Sequence, residues 1–336
     1  MLLVSSRLRN FKQKSDHLWN ASCPICGDSK TKVRKARFYF YRHKGELSAK
    51  CHNCNYSSSF SYFLKNFDQI SHRDYAFEKY ANKDRHPHVY TPPTQEDLKT
   101  PVGPIRDPVQ LSIPSILELV EGHPAKAYIA SRKIPEKYWS ELYFAENYKE
   151  FLDRDFAKCA SDDVPNDARI VLPMINADGY VAYVTGRSMK RSGLRYITIK
   201  ILEQKKIFGL NRLDKNLNYP VYVTEGPIDS LFLPNAVASA DANLFGKANF
   251  LSNLGYTDVI LLYDNEPRNW EIVNQMEKAI EAGYKVIIQP HSVSKDLNLM
   301  VTDDGWSLED IQSYIEKHTY QGHKAALEFA LWRRTK

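Results

Sequence analysis

Two short cysteine pairs constrain this chain more than any other feature in it. Cys23-Pro24-Ile25-Cys26 and Cys51-His52-Asn53-Cys54 are C-x2-C knuckles with 24 residues between them. Four thiolates presented from two tight turns form the soft tetrahedral donor set that Zn²⁺ prefers. Gly27 and Asn55 follow the two pairs, and both residue types tolerate the left-handed backbone that closes such a turn. Between the pairs, residues 37–42 alternate basic and aromatic side chains, and residues 47–50 are placed to pair with them. A small β-rich zinc ribbon is the expected result. The spacing is slightly longer than usual, so redox-active or unmetallated knuckles are the alternatives. His52 is read as outward-facing because the four-cysteine set is already complete, and Cys159 as an ordinary packed thiol.

Charge gives the ribbon a purpose. Residues 1–50 carry 12 basic and 3 acidic side chains, a local charge of +9, while the remaining residues sum to −3. A basic lobe on a mildly acidic body points to a polyanionic partner. Aromatic residues interleaved with Lys and Arg suit base stacking combined with phosphate neutralisation. The alternative is a solvated basic face on a purely structural ribbon. With 43% hydrophobic and 26% charged residues in 336, the chain has the composition of a globular protein of about two domains. No apolar run approaches the 18 or so residues that span a bilayer. Neither a signal peptide nor a disulfide scaffold is indicated, and a soluble cytoplasmic protein with no membrane partner is expected.

Seven of the 17 prolines fall between Pro87 and Pro114, which predicts an extended linker. Beyond it, residues 116–120 and 125–131 are predicted helical, and residues 169–175 and 180–185 form strands about the turn Asn176-Ala177-Asp178-Gly179. The pattern then alternates: strand 221–224, helix 228–233, strand 259–263, amphipathic helix 270–282 and strand 286–289. Helices at 308–318 and 325–332 follow, the first opened by the capping pair Ser307 and Asp310. Alternation of this kind makes a parallel α/β sheet. The fold class is therefore α/β and multi-domain.

The acidic residues then fall in one place. Glu225, with Asp229 a step further on, Asp264 with Glu266, and Asp296 each follow a predicted strand of that sheet. Ligands bind at the carboxyl ends of parallel strands. A cluster of carboxylates there repels itself unless divalent cations, Mg²⁺ or Mn²⁺, are held with a phosphate-bearing substrate. Helix caps or loop acids are the alternative reading. Upstream, residues 187–206 contain seven basic side chains and one acid; Arg187, Lys190, Arg195 and Lys206, with Tyr196, are the candidate nucleotide- and template-binding residues. Metals beside a basic track describe phosphoryl or nucleotidyl transfer on nucleic acid.

The segments 23–31 (CPICGDSKT), 225–230 (EGPIDS) and 264–268 (DNEPR) together resemble the DNA primases of T-even bacteriophages and, more broadly, bacterial-type primases. The resemblance covers almost the whole chain in the expected order. It implies a zinc-ribbon DNA-binding domain over 1–80, a Pro-rich linker over 81–115, and the basic amino-terminal part of an RNA polymerase domain over 116–215. A Toprim domain over 216–303 and C-terminal helices over 304–336 complete it. It implies an enzyme that makes short RNA primers on single-stranded DNA from ribonucleoside triphosphates, acting with a replicative helicase and with single-strand binding protein as a further partner. Cys23, Cys26, Cys51 and Cys54 would hold structural zinc. Glu225 would be metal ligand or proton acceptor, with Asp264 and Glu266 holding Mg²⁺ and Asp229 and Asp296 assisting. Two departures stand out. Glu266 occupies the place of the second aspartate of Asp-x-Asp, and Asn298 stands where a further acid often occurs. A Toprim nuclease or recombination mediator, and a non-catalytic zinc DNA-binding module, are the competing functions.

Overall fold

A computed structural model describes residues 2–5, 7–28, 34–43, 46–81, 111–156, 159, 164–190, 194–217 and 219–335. Most of the expected linker, the 29–31 part of the first resemblance segment and Arg191 lie outside these residues. The chain forms two compact units, Met1–Ile105 with Pro267–Val273 and Arg333–Lys336, and Arg106–Glu266 with Asn274–Trp332. No helix among the described residues is long and apolar enough to cross a membrane.

The first unit opens with α1 (Leu2–Ser5) and is built on an antiparallel sheet of β1 (Lys12–Ser15), β2 (Leu18–Ala21), β3 (Phe38–His43), β4 (Glu46–Cys51) and β5 (Ser57–Ser59), paired in that order. Register divides its residues between two faces. Trp19, Phe40 and Ala49 stand opposite one another on one face, while Asn20, Tyr39 and Lys50 do so on the other. The first face is the core. Phe38 and Phe40 are fully buried there against Phe60 and Phe63 of α2 (Phe60–Phe67), which is followed by α3 (Gln69–Ala81). The aromatic run in β3 is therefore only half available: Tyr39 and Tyr41 remain on the outer face, and two of the four rings expected outside are core.

The second unit contains two sheets. After α4 (Pro124–Ser131) come β6 (Tyr143–Ala145), α5 (Tyr148–Asp155), β7 (Arg169–Ile175), β8 (Val181–Ser188) and β9 (Tyr196–Lys200), an antiparallel meander in order β6-β7-β8-β9. Its central turn closes through Asn176, whose Oδ1 accepts the amides of Asp178 and Tyr180, with Gly179 at φ +88°. Residues 116–120 form a turn rather than a helix; only Ile116 of that segment is buried, and Leu117 and Val120 face solvent.

The second sheet comprises β10 (Val221–Thr224), β11 (Ala236–Ala238), β12 (Val259–Leu262), β13 (Lys285–Ile287) and β14 (Thr319–Tyr320), in order β11-β10-β12-β13-β14. The first four strands are mutually parallel, as the alternating pattern predicted, and β14 joins antiparallel. Its strands β10 and β12 are wholly buried hydrophobic runs, as a sheet covered on both faces requires. The helices are α6 (Leu244–Asn253), α7 (Trp270–Glu281), α8 (Leu297–Thr302), α9 (Leu308–His318) and α10 (Gly322–Trp332). Helix α9 begins with the full reciprocal capping box between Ser307 and Asp310. Residues 228–233 form a 3-10 turn, Asp229–Phe232, rather than an α-helix.

Candidate zinc centre and carboxylate site

The four cysteines of the two knuckles meet in the first unit, their sulfurs all within 4.8 Å of one another. Cys23 Sγ lies 3.9 Å from Cys54 Sγ, and Cys26 Sγ lies 3.8 Å from Cys51 Sγ. Bonds of about 2.3 Å from one tetrahedral zinc place its sulfurs about 3.8 Å apart, so the donor set fits the ion. Gly27 and Asn55 close the knuckles at φ +67° and +56°. The backbone amide of Asn53 points at Cys51 Sγ at 3.3 Å and its side-chain amide at Cys26 Sγ at 3.2 Å. Hydrogen bonding among the four thiols lowers the pKa of Cys26 and Cys51 and raises that of Cys23 and Cys54. Asp28, almost wholly buried, accepts the Cys23 amide at 2.8 Å and so fixes the first knuckle. His52 is exposed and outside the set, its ring edge-on to Tyr39. Cys159 is exposed rather than packed.

In the second unit, the parallel sheet delivers acids to one end. Glu225, Asp229, Asp264 and Asp296 line a single cavity of ≈ 10 Å³, room for the centre of one water-sized particle. Glu225 follows β10 directly and its Oε1 accepts the Asp264 amide at 2.9 Å. Asp229 folds back against Gly226, where a Cβ would come within 2.2 Å of its Oδ2; glycine is what admits it. Asp296 also caps α8 through the Leu299 amide, so the helix-cap alternative describes part of its role. Glu266 does not line the cavity. It reaches the cluster through Lys295, whose ammonium bridges Glu266 Oε1 at 2.5 Å and Asp264 Oδ2 at 3.1 Å.

Burial and mutual repulsion raise the proton affinity of three of these acids, Glu225, Asp229 and Asp264. Burial, then the charge of Asp264, raises Glu225 well above the usual carboxylate range. Burial, then Asp296 and Asp264, raises Asp229 to about 8. Asp264 is raised to about 6 by burial, with Lys295 opposing. Desolvation works against the Lys295 ammonium, but its bond to Glu266 and the charge of Asp264 outweigh it and raise its pKa.

Of the basic candidates, Arg187 is linked to the acid site through Asp229. Arg187 is buried, donates from Nε to the Tyr128 hydroxyl at 2.8 Å and lies over the Tyr196 ring at 4.8 Å. Its charge acts on Asp229 to lower that carboxyl. Lys190 and Arg195 are exposed. Lys206 is engaged, its ammonium held by Asp241 and by the Ala240 carbonyl, both at 3.0 Å.

Two participants escaped the sequence reading. Arg132 stacks over the same Tyr128 ring at 5.4 Å and donates to Asn298 Oδ1 at 2.6 Å, while Asn298 Nδ2 returns a bond to the Arg132 carbonyl at 2.8 Å. Asn298 also gives its backbone amide to Asp229 Oδ1 at 2.9 Å. Asn298 thus ties a cation to the acid site. The cation pair Arg132-Lys133 just past the predicted helix 125–131 was the available clue. Lys295, adjacent to Asp296 in sequence, is the second.

No family model matches the chain. It is 32% identical over 316 residues to the DNA primase of Enterobacteria phage T4, covering 92% of this chain and 88% of that protein. Among solved structures, the zinc-binding and RNA polymerase domains of the Aquifex aeolicus primase share its fold, with a TM-score of 0.50 and 18% identity over 98% of this chain and 85% of that one. Identity of this level running through ribbon and carboxylate sheet alike settles the relationship: the chain belongs to the DNA primase family.

Proposed function

We propose that this enzyme copies single-stranded DNA into short RNA primers from ribonucleoside triphosphates by metal-dependent nucleotidyl transfer. The observation that carries the reading is the cavity in which Glu225, Asp229, Asp264 and Asp296 meet at the ends of parallel strands, beside Arg132, stacked on Tyr128, and Arg187, bonded to the Tyr128 hydroxyl. An all-oxygen donor set of carboxylates, into which a lysine ammonium has already been drawn, fits Mg²⁺ or Mn²⁺. A cation bound there supplies positive charge against the triphosphate oxygens. Glu225, Asp264 and Glu266 are the proposed catalytic acids, with Asp229 and Asp296 as further ligands.

Glu225 accepts the proton of the initiating 3′-hydroxyl, a task that suits a carboxyl whose pKa burial has raised well above the usual carboxylate range. Arg187, Arg132 and Lys190 bind triphosphate, and Tyr196 with Arg195 binds template. Lys206 joins them by exchanging Asp241 for a phosphate. In the ribbon, Tyr39, Tyr41 and Lys50 on the outer sheet face stack on and neutralise the template. The domain division is the one the resemblance implies, 1–80, 81–115, 116–215, 216–303 and 304–336. A replicative helicase, single-strand binding protein and a cytoplasmic setting complete the proposal.

The test supplies single-stranded DNA, Mg²⁺ and labelled ribonucleotides, with and without the replicative helicase from the same source. Short template-dependent RNA is expected from the natural chain, and Glu225→Gln is expected to reduce it by about 100-fold or more. Degradation of the DNA without RNA would move the assignment to a nuclease, and binding without any product to a tethering module.

A further inference from the structure

At the carboxylate cavity, the Gln289 side-chain oxygen is buried without a hydrogen-bond partner. Gln289, two residues beyond β13, is only 4% exposed and lines the same cavity as Glu225, Asp229, Asp264 and Asp296. Its Nε2 donates to the Tyr263 carbonyl at 2.8 Å, which fixes the sense of the amide. The remaining atom, Oε1, is buried and accepts no hydrogen bond from any described group. A buried acceptor left unmet carries the full cost of its desolvation, which an apolar side chain at the end of this strand would avoid. Once a divalent cation displaces their protons, the carboxylates around it are acceptors too and cannot satisfy it.

A hard cation can. Neutral amide oxygens are ordinary ligands of Mg²⁺ and Mn²⁺, and such a donor adds coordination without adding charge to an already self-repelling cluster. Asn298 cannot fill this place, because its own oxygen is committed to Arg132. We propose that the Gln289 side-chain oxygen is a further donor to the divalent cation of this cluster. The inference rests on the cation reading above.

The experiment is a Mn²⁺ titration of the zinc-loaded full chain, without nucleotide or DNA, followed by electron paramagnetic resonance. Gln289→Leu is expected to weaken Mn²⁺ binding about tenfold, the scale on which supporting groups act at metal sites. Gln289→Glu, which keeps an oxygen there, is expected to retain it, and Asp264→Asn to lose it. Thermal melts in the absence of divalent ions establish that each variant is folded. Gln289→Leu binding within twofold of the natural chain, with Asp264→Asn still defective, would overturn the role of Gln289 and leave the carboxylate site standing. A folded Gln289→Glu as weak as Gln289→Leu would overturn it equally. Absence of Mn²⁺ binding in the natural chain would remove both the cation site and this donor.

Discussion

Asp229 and Asp264 are chemically identical side chains held at different proton affinities, about 8 and about 6, against an ordinary 3.8. Both are raised, chiefly by burial, so the folded protein keeps protons that the unfolded chain gives up between about pH 4 and 8. The stability these groups contribute is present at low pH and is lost as pH rises through about 6 and then about 8. A bound divalent cation replaces those protons. The rise in melting temperature on adding Mg²⁺ is therefore expected to be larger near pH 8 than near pH 5. Equal shifts at the two pH values, measured by differential scanning fluorimetry, would detach the cation from these carboxylates. Lys295 already supplies part of that compensation, one monovalent charge shared between Asp264 and Glu266.

The strand β8 shows how an element places a charged side chain. At Gly186 a Cβ would sit 2.5 Å from Cζ of Tyr148 and 2.9 Å from Cδ of Arg169, so the strand passes over two large buried side chains only because this residue has none. Arg169 beneath it is bound to both oxygens of Asp167 and to the carbonyls of Gly186 and Leu194, which ties Leu194, two residues before Tyr196, to β8. Gly186→Ala is expected to cost about 1–3 kcal/mol through overpacking and to lower the melting temperature by several degrees. An unchanged melting curve would contradict the packing described. Sequence reasoning located β7, β10 and α9 because each has a strong period or cap. It missed β1, whose Lys-Gln-Lys-Ser side chains are all exposed, since no apolar alternation exists to read. It missed β11 because three residues are too few for a pattern. It misread 116–120, where apolar composition belongs to a turn. At the site, acids directly after apolar strands could be read from spacing. Charge beside the motifs hinted at Arg132 and Lys295 and nothing hinted at Gln289; their partners Asn298, Glu266 and Tyr263 are set by three-dimensional register rather than by any motif.

On the scale of the whole chain, the C-terminal segment is part of the sheet that carries the carboxylate cluster. Strand β14 pairs with β13 through Val286–Tyr320 and Ile287–Thr319, and Ile311, Ile315, Phe329 and Trp332 are buried. Removing everything from Leu308 onward is expected to yield an aggregating protein, because it strips a strand and exposes both a hydrogen-bonding edge and apolar surface. Size-exclusion chromatography of the truncated chain checks this; a soluble monomer with an intact far-UV spectrum would contradict it. The same pairing governs how the enzyme is made. A nascent chain that has already formed β10 to β13 has an open flank until Tyr320 has emerged from the ribosome, so the sheet bearing the carboxylates comes to maturity late in translation and its exposed border must be sheltered until then.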